Sequence, residues 1–326
     1  MSQGARCSIC GRKAVAVIHY ARLRLCREHF IEFIERKVER AIKRYGLIGK
    51  GQRVLAAVSG GKDSSTLLAV LSKLSTRLGF EVAALHINLG IGEYSEKSLN
   101  YVRRLASDLG VKLVVVSIKE ITGYSVPELA AKLRRPTCSV CGLVKRYIIN
   151  AAAVEARADV VALGHNLDDL VAYVLKEFLS QNLPQIKKLG PKTEGIGDLA
   201  VGRVRPLYEV LEKESLIYAL VTKIPFIPDE CPHVRLSALE FKIKDLMNKL
   251  DLEFPGIKIS LARRLAKNLK YYPAPEQEVR KCSACGLLAS TEVCSFCRAT
   301  ERATSSPKGA AAREYVRAKL KEACLL

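Results

Sequence analysis

A six-residue stretch, Ser59-Gly60-Gly61-Lys62-Asp63-Ser64, constrains this chain more than any other. It follows a short apolar run, Val54–Val58, and opens a segment with helical periodicity, Ser65–Leu78. Two adjacent glycines let the backbone turn tightly and bring bare N–H groups close to an anion. The helix behind them adds unpaired N–H groups and the positive end of its dipole. Lys62 contributes a mobile cation, and Ser59 and Ser64 offer hydroxyl donors. A strand, a glycine loop and a helix in this order hold phosphate, whereas a bare Gly-Gly would be read as a simple connection. The spacing G-x-x-x-x-G-K-[ST] cannot be laid on these residues, so the loop is not a Walker A motif.

Around the loop, short apolar runs alternate with helical patterns. Val54–Val58, Val82–Ile87, Leu113–Ile118 and Val160–Leu163 read as buried strands, and Ser65–Leu78, Ser95–Leu109 and Leu143–Ala156 as helices. That alternation predicts an α/β fold with a doubly wound parallel sheet and ligands at the carboxyl ends of its strands. Pro184–Gly197 reads as a surface loop, Val201–Leu207 as a further strand, and Lys213–Thr222, Ser237–Leu250 and Ala310–Ala323 as helices. Phe30–Tyr45 reads as a connecting helix with one solvated basic face. Pro273–Glu278 reads as a linker, which gives three expected units: 1–30, 31–272 and 273–326.

The cysteines decide what the terminal units are. Eleven are present, mostly in C-x-x-C pairs, in a chain whose first residues lack a signal-peptide apolar region. A cytoplasmic address is therefore expected, and metal binding is favoured over disulfides. Cys7-x-x-Cys10 and Cys26-x-x-His29, fifteen residues apart, complete a tetrahedral Zn²⁺ site. Cys282-x-x-Cys285 and Cys294-x-x-Cys297, with an eight-residue spacer, form a closed four-thiolate site, which has no position for substrate. Cys138-x-x-Cys141 lies inside the central body, and the unassigned partner is Cys231 in Asp229-Glu230-Cys231-Pro232-His233. Three thiolates suit an iron–sulfur cluster with one iron lacking a protein ligand. A third zinc completed by His233, or a C-x-x-C pair carrying a persulfide, fits the same spacing. Cys324, near the C-terminal end, is incidental.

Composition adds a partner. With 53 Lys and Arg against 33 Asp and Glu, the formal charge is +20. Balanced thermophile-style ion pairing does not produce that excess. No apolar run reaches the roughly 18 residues of a membrane span, so a polyanion such as nucleic acid is favoured over a membrane. Between Ala131 and Tyr147 there are five basic residues, Lys132, Arg134, Arg135, Lys145 and Arg146, and no acid. They flank the Cys138/Cys141 pair and would lay a nucleic-acid backbone over it. Few aromatics interleave, which favours recognition of a folded RNA by shape. Lys145, one helical turn beyond Cys141, can project beside that thiolate.

After the fourth expected strand comes Gly164-His165-Asn166-Leu167-Asp168-Asp169. Asp168 and Asp169 can hold Mg²⁺ or orient a nucleophile against a phosphate loop, or one of them can cap the following helix. Gly164, His165 and His86, all at strand ends, are candidate nucleotide contacts.

The loop itself resembles the PP-loop, S-G-G-x-D-S, of enzymes that cleave ATP to AMP and pyrophosphate. Taken with the N-terminal knuckles, the central C-x-x-C followed by Gly142 and Lys145-Arg146, Gly-His-Asn-Leu-Asp-Asp, the late Asp-Glu-Cys-Pro and the C-terminal knuckles, the chain resembles the TtuA-type tRNA 2-thiouridine synthetases. It also resembles the related wobble-uridine thiolases. The likeness runs in order along nearly the whole chain, and the segment His86–Ser95 looks like that family's adenine-side loop. The resemblance implies ATP at Ser59–Ser64 and a 4Fe–4S cluster on Cys138, Cys141 and Cys231, beside the Mg²⁺ expected at the paired aspartates and the two Zn²⁺ expected at the terminal knuckles. It implies adenylation of the C2 oxygen of a tRNA uridine; from the residues themselves, Lys145 and Asp169, then Asp168 and Asp63, are the candidates for supporting adenylation or proton transfer. Sulfur from the thiocarboxylate of a ubiquitin-like carrier then displaces AMP. It also implies a homodimer. Competing readings are a lysidine- or amide-forming PP-loop ligase, which has no use for the three central cysteines, and a non-catalytic zinc-ribbon RNA-binding protein. Neither the wobble nor the T-loop position is singled out by any residue.

Overall fold

The computed structural model describes residues 5–234, 237–274 and 278–325. In chain order the elements are β1 (Ala16–Ile18), β2 (Leu23–Leu25), α1 (Arg27–Tyr45), β3 (Arg53–Ala57), α2 (Lys62–Leu78), β4 (Glu81–Asn88), α3 (Gly92–Leu109), β5 (Leu113–Ser117), α4 (Ile118–Thr122), α5 (Val126–Lys132), α6 (Thr137–Glu155), β6 (Val160–Leu163), α7 (Leu167–Leu179) and α8 (Leu183–Ile186). Then follow β7 (Lys192–Thr193), β8 (Gly202–Val204), α9 (Glu212–Thr222), α10 (Leu239–Glu253), α11 (Ile257–Asn268), β9 (Arg280–Lys281), β10 (Leu288–Ala289), α12 (Ser295–Thr304) and α13 (Gly309–Glu322).

The central sheet runs β5-β4-β3-β6-β8-β7, parallel except for β7. Strand residues alternate between two cores. Leu55, Leu85 and Val161 face one side, with α5, α6 and α13. Val54, Ala56, Ala84, Val160 and Ala162 face the other, with α1, α2 and α9. Burial on both faces is why these strands read as continuous apolar runs rather than alternating ones. The strand order turns back at β3: β4 lies on one side and β6 on the other. Ligands collect at such a switch point, and here the loops after β3 and β6 both open.

The doubly wound parallel sheet is the expected one, but several boundaries move. α2 begins at Lys62 rather than Ser65, so Lys62, Asp63 and Ser64 occupy its first turn. α6 begins at Thr137, immediately after Pro136, and not at Leu143. Cys138 and Cys141 therefore sit on the helix itself. The segment read as a loop, Pro184–Gly197, contains part of α8, a short 3-10 turn and β7. α11 has no clear signal in the sequence, because its apolar stripe, Ile259, Ala262 and Leu265, is diluted by Lys and Arg. α12 carries Cys297, whose knuckle spacing masks the helix. On α1, Lys37 departs from the solvated face: it is buried and paired with Glu214. The Pro273–Glu278 linker lies partly outside the described residues.

The N-terminal Cys/His unit is joined to the body through α1, which carries His29 in its first turn. Ala16, Ile18, Leu25 and Phe30 share one core with Val54 and Leu67 of the body. Near the other end, Leu287, Phe296 and Val316 pack into the core beneath α6, where the Phe296 and Tyr147 rings stack 3.9 Å apart.

Candidate active site

The phosphate loop is held from within. Ser59 N–H donates to Ser64 Oγ at 3.1 Å, Ser64 Oγ donates to Gly61 O at 3.0 Å, and Ser98 Oγ donates to Ser59 O at 2.5 Å. Gly60 has φ +91°, and a Cβ there would lie 2.6 Å from Ser98 Oγ. Gly61 has an ordinary extended conformation at the start of α2, and a Cβ on it would meet nothing closer than 3.7 Å. Gly60→Ala is therefore expected to weaken ATP binding about tenfold, through left-handed strain of about 1–3 kcal/mol together with the clash. Gly61→Ala should cost much less. Equilibrium nucleotide titration of both variants checks this, and equal affinities would refute it.

A cavity of about 740 Å³ opens over the loop, lined among others by Ser59, Lys62, Asp63, Tyr94, Lys145, Gly164, His165 and Asp169. Gly164 brings the end of β6 onto the loop backbone; a Cβ there would stand 3.0 Å from Ser64 Cα. A smaller recess of about 110 Å³ adjoins it, lined by His86, Ile87, Tyr94, Ser98 and Lys145. His86 donates from Nδ1 to Val58 O at 2.9 Å, leaving Nε2 buried without a partner. Burial holds both His86 and His165 below the usual imidazole range, so both are neutral at pH 7.

Two charged residues that carry no motif, Glu212 and Lys244, pair with the lining residues Lys62 and Asp169. Lys62 Nζ lies 2.7 Å from Glu212 Oε1 and 3.1 Å from Asp63 Oδ2. Lys244 bridges Asp169 and Glu212. Burial works to raise Glu212, but its bond to Lys62 and the charge of Lys244 hold it below the ordinary carboxylate range. Asp63 goes the other way: burial raises its carboxyl despite Lys62, and its Oδ1 is buried without a partner. Neither Glu212 nor Lys244 sits in a recognisable pattern, since they come from the starts of α9 and α10, far from the phosphate loop in sequence.

The paired aspartates part company. Asp169 stays at the cavity, and its carboxylate also closes a capping box with Asn166 at the start of α7. Asp168 does not reach the cavity. Its Oδ1 accepts from Lys258 Nζ at 2.5 Å and its Oδ2 from Glu212 N–H at 2.6 Å. Geometry thus gives Asp168 a bracing role in place of the expected catalytic one.

The three central cysteines lie behind this lining: Cys141 is beside Lys145, and Cys231 directly follows Asp229 and Glu230, which line the cavity. Cys138 Sγ donates to His233 O at 3.1 Å, which pins the 231–234 turn to the first turn of α6. Burial pushes the Cys141 thiol up, Lys145 opposes this, and Cys231 and Cys138 add to it. Tyr94, a residue of both cavities, is raised by burial and then by Cys231 and Cys141. Tyr94 and Lys145 thus stand between the thiols and the cavity over the phosphate loop.

Among the described residues, only two sets of three or more Cys, His or carboxylate donors gather within 4.8 Å of one another: Cys7, Cys10, Cys26 and His29, and Cys282, Cys285, Cys294 and Cys297. Each suits one tetrahedral ion, with Cys10 Sγ and Cys26 Sγ at 3.7 Å and Cys285 Sγ and Cys294 Sγ at 3.9 Å, close to the spacing that Zn–S bonds of about 2.3 Å impose. Cys138, Cys141 and Cys231 are more widely spread than this, and His233 contributes only its carbonyl. A single zinc does not fit that spread. A cluster does not require so close a spacing, because each thiolate then binds a different iron.

Lys132, Arg134 and Arg135 are exposed at the α5–α6 turn, a few residues before Cys138. Arg146 lies on α6 but faces away from the phosphate loop, into a separate groove against the C-terminal four-cysteine unit.

Comparison with known proteins agrees with this arrangement. A PP-loop domain model matches residues 31–235, and a model described as the 2-thiouridine synthetase TtuA N-terminal LIM domain matches residues 6–31. The chain belongs to the TtuA-type tRNA 2-thiouridine synthetase family. It is 42% identical to the tRNA-5-methyluridine(54) 2-sulfurtransferase of Pyrococcus horikoshii, over 90% of this chain and 93% of the relative. It is 41% identical to the protein of that name from Thermus thermophilus, over 90% of each. Among solved structures, the U34-tRNA thiolase NcsA from Methanococcus maripaludis with its [4Fe-4S] cluster superposes with a TM-score of 0.78, at 26% identity, covering 91% of this chain and 95% of that one. Family membership makes the chain a PP-loop enzyme of tRNA 2-thiolation, and it sets aside the amide-ligase and scaffold readings. No helix among the described residues is long and apolar enough to cross a membrane.

Proposed function

We propose that this family member thiolates the uridine-54 base of the tRNA T-loop, using ATP to activate the C2 oxygen and a sulfide-level donor to replace it. One observation carries the chemistry: Cys141 and Cys231 lie close to Tyr94, and Cys141 is beside Lys145, and both Tyr94 and Lys145 line the cavity over the phosphate loop. An ATP-dependent ligase that uses an amine has no reason to place thiols there. The choice of position 54 rests on the names of the relatives at 42% and 41% identity, against 26% for the wobble thiolase.

The residues divide the work as follows. Loop N–H groups of Ser59–Ser64 and the Lys62 ammonium bind the phosphates, with Lys62 leaving Glu212 to do so. His86, at the adjoining recess, Gly164 and His165 border the nucleotide. Asp63 Oδ1, Asp169 and Glu212 would supply the hard oxygen donors that Mg²⁺ requires. The uridine O2 attacks the α-phosphate and pyrophosphate leaves. Lys145 offsets the charge that develops at these oxygens. Asp169, paired with Lys244, accepts the N3 proton released as the lactam becomes an O-adenylate. Sulfur then adds at C2 and AMP departs with the old oxygen. A carrier thiocarboxylate balances the sum: water cleaves its C–S bond to a carboxylate, sulfide is delivered, and no oxidant or reductant is consumed. A 4Fe–4S cluster on Cys138, Cys141 and Cys231 would supply an iron free to take a sulfur ligand. The compact Cys/His and four-cysteine sites would each hold a structural Zn²⁺, and the enzyme would work as a homodimer.

Anaerobically reconstituted protein is expected to carry two zinc and four iron atoms per chain. With ATP, a sulfide-level donor and unmodified tRNA, it should form a 2-thiouridine nucleoside at position 54, detected by mass spectrometry with position mapping. A product at position 34 would overturn the site assignment; none at either position would overturn the function.

A further inference from the structure

Outside the cavity, the most developed recess is a groove of about 600 Å³ between α6, the 188–203 segment and the C-terminal four-cysteine unit. Its floor is apolar, with Leu143, Tyr147, Val201 and Phe296, and two arginines stand over it, Arg146 from α6 and Arg203 from β8. Arg146 folds back along its own helix into the space that Gly142 leaves; a Cβ on that glycine would be 3.1 Å from Nη1. Lys188 adds a third cation. Its loop is fastened by Arg205, which is buried and donates to Gly190 O at 2.5 Å and to Lys188 O at 3.1 Å. The groove's two carboxylates are taken up by their own neighbours, Glu194 by Lys192 at 3.1 Å and Glu278 by Arg280. Among the described residues, Arg146, Arg203 and Lys188 have no carboxylate partner.

Like charges gathered over an apolar floor, unpaired, cost free energy until an anion joins them. Burial and then Arg146 lower the Arg203 guanidinium, as expected for cations crowded without a counter-charge. We propose that Arg203 and Arg146, with Lys188, clamp a backbone phosphate of the RNA substrate. This clamp lies across α6 from the reaction cavity, and the proposal rests on the tRNA reading given above. Arg146 is five residues beyond Cys141, about 7 Å along the helix axis, so the clamped phosphate belongs to a nucleotide close to the target uridine. The planar fork of each guanidinium suits a phosphodiester. RNA is favoured over an acidic protein tail because the cations do not stop at the groove. Lys132, Arg134 and Arg135 continue them past Cys138, with no acid between Ala131 and Tyr147, and such a track matches a repeating charge.

The test uses the metallated full-length protein, an unmodified tRNA transcript, and fluorescence anisotropy over a range of salt concentrations. Arg146→Gln with Arg203→Gln is expected to weaken tRNA binding roughly 10- to 100-fold and to flatten the salt slope by about one, for the one phosphate no longer neutralised. Arg203→Lys should keep the slope but not the full affinity, which separates a lost contact from a damaged fold. Nucleotide affinity should be unchanged in all three proteins. Wild-type affinity and slope in the double variant would overturn the clamp. So would intact tRNA binding combined with loss of sulfur transfer from a carrier protein but not from free sulfide, which would assign the groove to an acidic tail. If the wild-type protein neither binds nor thiolates tRNA, it is the function itself that fails.

Discussion

Cys141→Ser is expected to lower thiolation by at least about a thousandfold, the scale observed when one member of a group acting together is removed. ATP affinity should change by no more than about twofold, since Cys141 is outside the phosphate loop and independent sites are nearly additive. Iron content should fall while zinc content stays, because the zinc donors are two separate compact sets. Cys7→Ser should do the reverse, losing one zinc and keeping iron. Metal analysis beside nucleoside mass spectrometry reads both. Full activity in Cys141→Ser would remove the thiols from the mechanism, and joint loss of zinc and iron would show that the three sites do not assemble independently.

Asp168→Ala is expected to act on stability. Lys258 would be left buried and charged with only Asp251, 3.9 Å away, as a carboxylate neighbour, and the Glu212 N–H would lose its acceptor. Breaking one side of a buried pair costs about 3–5 kcal/mol. Urea unfolding of the metallated protein measures it. The loss should be smaller in Asp168→Asn, which keeps one oxygen acceptor and the shape of the side chain. Asp169→Asn should instead retain stability and lose thiolation, since Asp169 faces the cavity and Asp168 does not. If Asp168→Ala kept full stability and lost only activity, the bracing role would be wrong and the expected catalytic one restored.

Much of the fold and part of the site are legible along the chain. The phosphate loop, the strand–helix alternation and the cysteine spacings are local patterns, and local chemistry imposes them. Gly-Gly after a buried strand has few other uses, and two ligands three residues apart are brought together by a single turn. Boundaries blur where one pattern covers another: Cys138 and Cys141 have the spacing of a knuckle and form part of the first turns of α6. α11 is masked because charged residues interrupt its apolar stripe.

Other features have no local signature. Glu212 and Lys244 enter the site only because α9 and α10 pack against α2 and α7, and the Arg146–Arg203 pair exists only because β8 lies beside α6. The adjacent acids Asp168 and Asp169 show the limit most clearly. Successive residues of a helix point about 100° apart, so one carboxylate faces the cavity and the other faces Lys258. By itself, then, the sequence determined that Ser59–Ser64 forms a glycine loop between a buried strand and a helix, and which cysteines are available as ligands. Only the tertiary structure decided which side chains meet there, because distance in space between elements far apart in the chain is set by packing, and packing leaves no fixed spacing to read.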